Sequence, residues 1–145
     1  MDYYVNACEQ LEGAEILAAS GKYRLAVTML CLSCELFLKS QVERKDSTNP
    51  LLDSHDIVNL GNFIRDDIDF TSVAPKLAYM RKYLNDSRYP FNDKIYTKEL
   101  YDECLESVLA IRQAIDSVNT KKSEIERLEE RYGQEKVSGR DRKDM

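Results

Sequence analysis

Four groupings in the chain have residue types and spacings that could do chemistry. Cys31 and Cys34 form a Cys-x-x-Cys, the spacing at which two thiolates share a zinc ion or exchange a disulfide. A zinc site wants a second pair of ligands at short spacing, and the other two cysteines, Cys8 and Cys104, stand alone and far apart. The motif also lies inside AVTMLCLSCELFL, an apolar stretch without Gly or Pro. All four cysteines are therefore read as small core side chains. Asp66, Asp67 and Asp69 gather three carboxylates, a set that suggests Mg²⁺, although acids between helices more commonly act as solvated caps. The single histidine, His55, is the one side chain suited to proton transfer near neutral pH. In Ser54-His55-Asp56 it is expected in the first turn of a helix, bonded locally or touching a ligand. One histidine excludes most His-based metal sites, and no metal or cofactor is expected.

The fourth grouping is the most informative. Between residues 76 and 98, Lys76, Arg81, Lys82, Arg88, Lys94 and Lys98 face only Asp86 and Asp93, a local charge of +4 in a chain of net charge -5. The segment from Asn119 onward carries +1, so the remainder holds -10. Tyr79, Tyr83, Tyr89, Phe91 and Tyr96 fall in the same window. Cations bind phosphate and flat rings stack on bases, so this is the composition of a nucleotide or single-stranded RNA site. The competing reading is packing: Tyr79 and Tyr83, four apart, would fill a second helix face while the lysines are solvated. The overall negative charge argues against indiscriminate nucleic-acid binding.

These groups must be held by helices. With 145 residues the chain is long enough for one domain with its own core, and five Gly and three Pro are too few for a many-stranded fold. Asp2 to Ser20 places Tyr4, Cys8, Leu11, Ala14 and Ala18 on one helical face, and Gly21 stops it. Tyr23 to about Val42 is apolar on more than one side, which predicts a central helix. A shorter helix opens near Asp53 or Ser54 and carries Ile57, Leu60 and Ile64. A fourth begins at Thr71 or Ser72, with Pro75 in its first turn. The fifth starts after Thr97 as N-cap. Its Cys104, Val108, Ile111, Ile115 and Val118 alternate steps of four and three. Leu30, Phe37, Leu77, Met80, Val108, Ile111 and Ile115 are the expected core. The bundle is expected over residues 1–120. A short amphipathic helix, Glu124 to Tyr132, and a disordered polar end past Gly133 are expected over 121–145. No apolar run approaches 18 residues, so no membrane span is expected. The opening MDYYVNACEQLEG lacks the pattern of a signal peptide, which points to the cytoplasm.

GKYRLAVTMLCLSCELFLKS preceded by AEILAAS, the pair His55-Asp56, and SRYP at 87–90 together resemble the HEPN domain family over roughly residues 3 to 118. The resemblance implies an all-α up-and-down bundle of four main helices plus a short one, commonly a homodimer, and a link to nucleotide or RNA binding. It also implies a neighbouring or fused minimal nucleotidyltransferase, in a toxin–antitoxin-like setting. Ribonuclease members carry an Arg, four to six residues, then a His. No arginine stands at the required distance before His55, and after Arg88 the matching positions are Asp93, Lys94 and Ile95. The ribonuclease pattern is absent, so no catalytic residue is assigned. Ligand contact is instead expected from Arg88, Tyr89, Lys94, Arg81, Tyr83 and His55. Two other readings stay open: a protein-interaction bundle with no ligand of its own, and a diverged ribonuclease. No Gly-rich phosphate loop, Gly-x-Ser-x-Gly or His-Glu-x-x-His is present.

Overall fold

Asp2 accepts the amide of Val5 at 3.1 Å and so starts α1 (Tyr3–Ala19). In the computed structural model the backbone is described over residues 2–89 and 95–144, and side chains over the same residues except 121–124 and 132–144. Two units are distinguished, residues 1–115 and 116–145. At the end of α1 the chain enters the left-handed region at Gly21, φ 74°. There the amide of Gly21 donates to the Ala18 carbonyl and that of Lys22 to the Leu17 carbonyl, both at 2.9 Å. This paired closure is why a glycine stands at that position.

Helix α2 (Tyr23–Lys45) then runs back along α1, and the Ser33 hydroxyl donates to the Ala7 carbonyl at 2.8 Å. By length and composition α2 is long and apolar enough to cross a membrane, contrary to the expectation that no segment is. Its apolar sides are buried by the other helices, because α2 is the central element of the bundle.

A 3-10 turn (Pro50–Asp53) follows, and α3 spans Ile57–Phe63. The helix opens later than the sequence suggests. Asp56 is its N-cap, with its carboxylate accepting the amides of Val58 at 3.0 Å and Asn59 at 3.4 Å. His55 therefore sits in the extended link before the helix, not in its first turn. Helix α4 (Phe70–Arg81) starts one or two residues earlier than expected, which puts Pro75 inside it and removes one intrahelical bond. A short α5 (Tyr83–Asp86) leads to the segment 90–94, which lies outside the described residues. Thr97 accepts the amide of Leu100 at 3.2 Å, the expected cap, and α6 spans Lys98–Asp144.

Cross-links fix the helix order. Arg112 donates from Nε to the Tyr4 hydroxyl at 3.3 Å, Tyr23 meets Tyr101, and Tyr79 and Lys76 on α4 meet Glu103 and Glu106 on α6. Thus α6 runs antiparallel to α1 and α4 and parallel to α2 within the first unit. The seven expected core residues are each at most 2% exposed. The fold is all-α, with no strand among the described residues. In the second unit the helical assignment continues past Asn119 and Gly133 to Asp144 as one element, where the sequence suggests a separate short helix and a polar end. Lys, Glu, Arg and Leu dominate 121–131, and all are strong helix formers. Ile125 and Leu128 there are exposed.

Candidate functional site

After α5 the chain makes a tight turn, with the amide of Arg88 on the Asn85 carbonyl and that of Tyr89 on the Asp86 carbonyl, both at 3.2 Å. Ser87, at the centre of this turn, is fully buried. Its carbonyl oxygen accepts from Arg24 Nη1 at 2.8 Å. Thr28 Oγ1 lies 3.0 Å from both that oxygen and Ser87 Oγ. A corner of backbone is thus locked onto the first turns of α2 by a cation and a hydroxyl. The next two residues, Arg88 and Tyr89, face solvent. No hydrogen bond or ion pair holds the Arg88 guanidinium among the described residues, and Asp86, the acid nearest in sequence, accepts the Tyr96 hydroxyl at 2.8 Å.

Beneath the corner lie the cysteines. Burial, with Cys104 second, pushes the Cys31 thiol up to about 12. Burial likewise takes Cys104 to about 12 and Cys34 well above the ordinary value. These are inert core thiols, as the apolar context of the Cys-x-x-Cys suggests. Among the described residues no group of three or more His, Cys, Asp or Glu could hold a metal ion. Of the three acids before α4, Asp67 pairs with Lys45 at 3.1 Å and Asp69 accepts from Ser72 at 2.7 Å.

The aromatic residues divide. Tyr83 packs edge-on between Tyr79, at 5.4 Å, and Tyr96, at 6.1 Å. The hydroxyls of Tyr79 and Tyr96 donate to Glu103 and Asp86. Burial first, and those carboxylates second, hold both hydroxyls above the usual tyrosine range. This stack is a packing device between α4, α5 and the start of α6, so the competing reading of Tyr79 and Tyr83 describes them. Tyr89, next to Arg88 in the turn, is 52% exposed. Lys94 and Phe91 lie outside the described residues. A pocket of about 390 Å³ adjoins the corner, lined by Gly21, Lys22, Tyr23, Arg24, Leu25 and Tyr96. None of the five described residues expected to touch ligand lines it.

The remaining two candidates meet elsewhere on α2. The imidazole of His55 is 73% exposed, yet its Nδ1 lies 3.0 Å from Oε1 of Glu35, a carboxylate only 5% exposed. The other Glu35 oxygen pairs at 3.4 Å with Lys39, whose side chain is 7% exposed. An Nδ1–H donated to Glu35 fixes the ring and turns Nε2 outward. Arg81, at the end of α4, donates from Nη2 to Asp56 Oδ2 at 2.9 Å, so His55 and Arg81 are joined through His55's own neighbour. Buried Glu35 and Lys39, and the Arg24–Thr28 clamp, are absent from the six candidates. Their signal is in the sequence: Arg24, Thr28, Cys31, Glu35 and Lys39 follow steps of four, three, four and four, one polar stripe on an otherwise apolar helix.

No curated protein and no solved structure matches the chain. The family model described as HEPN domain matches residues 1–122, a span that takes in the locked Ser87 corner, the Glu35–His55 pair and the whole first unit. On that match the chain belongs to the HEPN domain family, and at the family level it is a nucleotide- or RNA-related module.

Proposed function

We propose that this HEPN domain binds nucleotide or RNA phosphate at the Ser87 corner, with Arg88 as the phosphate contact and Tyr89 as a stacking ring. The observation that carries the reading is the contrast between Ser87 and Arg88. Ser87 is buried and held by Arg24 and Thr28, whereas the adjacent guanidinium is exposed and untied among the described residues. A cation on a locked backbone loses less freedom when a ligand arrives, and a guanidinium matches phosphate with two parallel bonds. The reading is one of binding without cleavage, since the Arg–His ribonuclease spacing is missing.

The same reading includes a homodimer, a minimal nucleotidyltransferase partner and a cytoplasmic setting of the toxin–antitoxin kind. Support for the dimer comes from Leu25, Tyr89 and Ile95, exposed apolar residues that flank the corner and its pocket. A dimer seated there would bury roughly 1,000 Å² or more in total. Sedimentation at micromolar concentration tests it, and a monomer alone would refute it. The nucleotidyltransferase partner is supported by family membership, and the test is co-purification with a nucleotidyltransferase encoded beside this chain.

Calorimetric titration with nucleotides and short single-stranded RNA tests the site. Arg88→Ala should weaken binding by about 1.5–3 kcal/mol, the range for hydrogen bonds to charged groups. If nothing binds wild type at millimolar concentration, the binding reading is wrong, and docking onto a protein partner takes its place.

A further inference from the structure

We infer that His55 and Arg81 form a second phosphate subsite alongside the one at Arg88, so that the site distinguishes a strand with successive phosphates from a free nucleotide. The inference rests on the proposed binding at Arg88 and extends it along α2.

The polar stripe of α2 connects the two places. At one end Thr28 and Arg24 seat the Ser87 corner, and at the other Glu35 seats His55. Cys31 stands between, and its buried thiol feels both the Arg88 guanidinium and the Glu35 carboxylate. Thr28 and Glu35 are seven residues apart, or roughly 10 Å along a helix axis. One phosphoryl group cannot touch both ends of such a span. A strand with successive phosphates can, and half-exposed Tyr89 stands at the Arg88 end.

The His55 end is built more heavily than a loop tether requires. Keeping the Glu35–Lys39 pair out of water costs several kcal/mol, offset only by good partners. Its result is an exposed imidazole in a fixed orientation. Arg81, 57% exposed, is likewise held by a single guanidinium nitrogen on Asp56. The other edge of the guanidinium and Nε2 of the imidazole are left for solvent there. Both are suited to phosphate oxygens, and contacts to phosphate carry no sequence information, so affinity without strong sequence preference is expected.

The test uses the full chain with uridine monophosphate and a short labelled oligouridylate at one fixed salt concentration. Wild type should bind the oligomer more tightly than the monophosphate. Arg81→Ala and His55→Ala should each lower oligomer affinity about fivefold to tenfold and leave monophosphate affinity unchanged, whereas Arg88→Ala should lower both. Arg81→Ala removes only a surface ion pair, so it remains informative if His55→Ala melts early. Equal affinities for the two probes, or an Arg81 variant that binds oligomer like wild type, would overturn the second subsite while the Arg88 site stands. Indifference of both probes to Arg88→Ala would overturn the site itself and the inference with it.

Discussion

Arg24 donates a charged hydrogen bond to the carbonyl oxygen of Ser87 at 2.8 Å, across 63 residues of chain. At this corner the arginine used for structure is therefore Arg24 on α2, and the one presented to solvent is Arg88. A rigid corner with an exposed cation at its tip follows from this division of labour.

The two arginines should separate in stability measurements. Arg24→Ala leaves the buried Ser87 carbonyl with Thr28 alone, and should cost about 1.5–3 kcal/mol. Arg88→Ala should change stability by no more than about 0.5 kcal/mol, as exposed substitutions usually do. Urea denaturation of both variants checks this. Equal losses would mean that Arg88 also pins the corner.

Why the corner was only half legible is a matter of range. The sequence shows that Arg88 is followed by Tyr89-Pro90 and set in a basic, aromatic window. It does not show which distant hydroxyl or cation meets Ser87, because the partners are a long loop away. The core was readable because Leu30, Phe37, Met80 and Ile111 repeat at helical spacing, a local signal. His55 was misplaced by the few residues that separate a helix N-cap from its first turn. Asp56 takes the cap through its carboxylate, which leaves His55 outside α3 and turned toward Glu35. Glu35 and Lys39 stand four apart, the spacing of a helical ion pair, but nothing local says that they are buried.

Burial makes that pair fragile. Glu35→Gln removes the carboxylate and leaves the Lys39 ammonium with no compensating charge in a side chain 7% exposed. A loss of about 3–5 kcal/mol is expected. Adding Lys39→Met should recover much of it, since two neutral groups of similar size need no charge partner. Chemical denaturation of the single and double variants decides the point. A double variant no better than the single would show that Lys39 contributes through contacts other than Glu35.

The first unit should stand by itself. Every buried apolar residue among those described lies at or before Ile115, and Ile125 and Leu128 beyond it are exposed. A chain ending at Asn119 should melt cooperatively within a few degrees of the full chain. Calorimetry that finds no cooperative transition, or a large drop in melting temperature, would show that later residues stabilise the bundle.

The last expectation concerns the thiols and high pH. Burial pushes Cys31 and Cys104 up to about 12, and Cys34 well above its ordinary value. In the unfolded chain these thiols ionise near about 8.5. The raised value means that the folded state keeps protons which the unfolded state releases. Their contribution is fully present below about pH 8.5 and is lost as pH rises toward 12. Each thiol removes about 1.4 kcal/mol per pH unit across that window. Tyr79 and Tyr96, also raised, add to the loss above about pH 10, the ordinary tyrosine value. Denaturation midpoints should thus be insensitive to these groups at neutral pH and fall steeply in base. At pH 8 the same burial should protect three of the four thiols from a disulfide reagent, leaving half-exposed Cys8 to react. Unfolding in guanidinium should then release all four. Rapid reaction of Cys31 or Cys34 in the native protein would contradict their place in the core and revive a redox reading of the Cys-x-x-Cys.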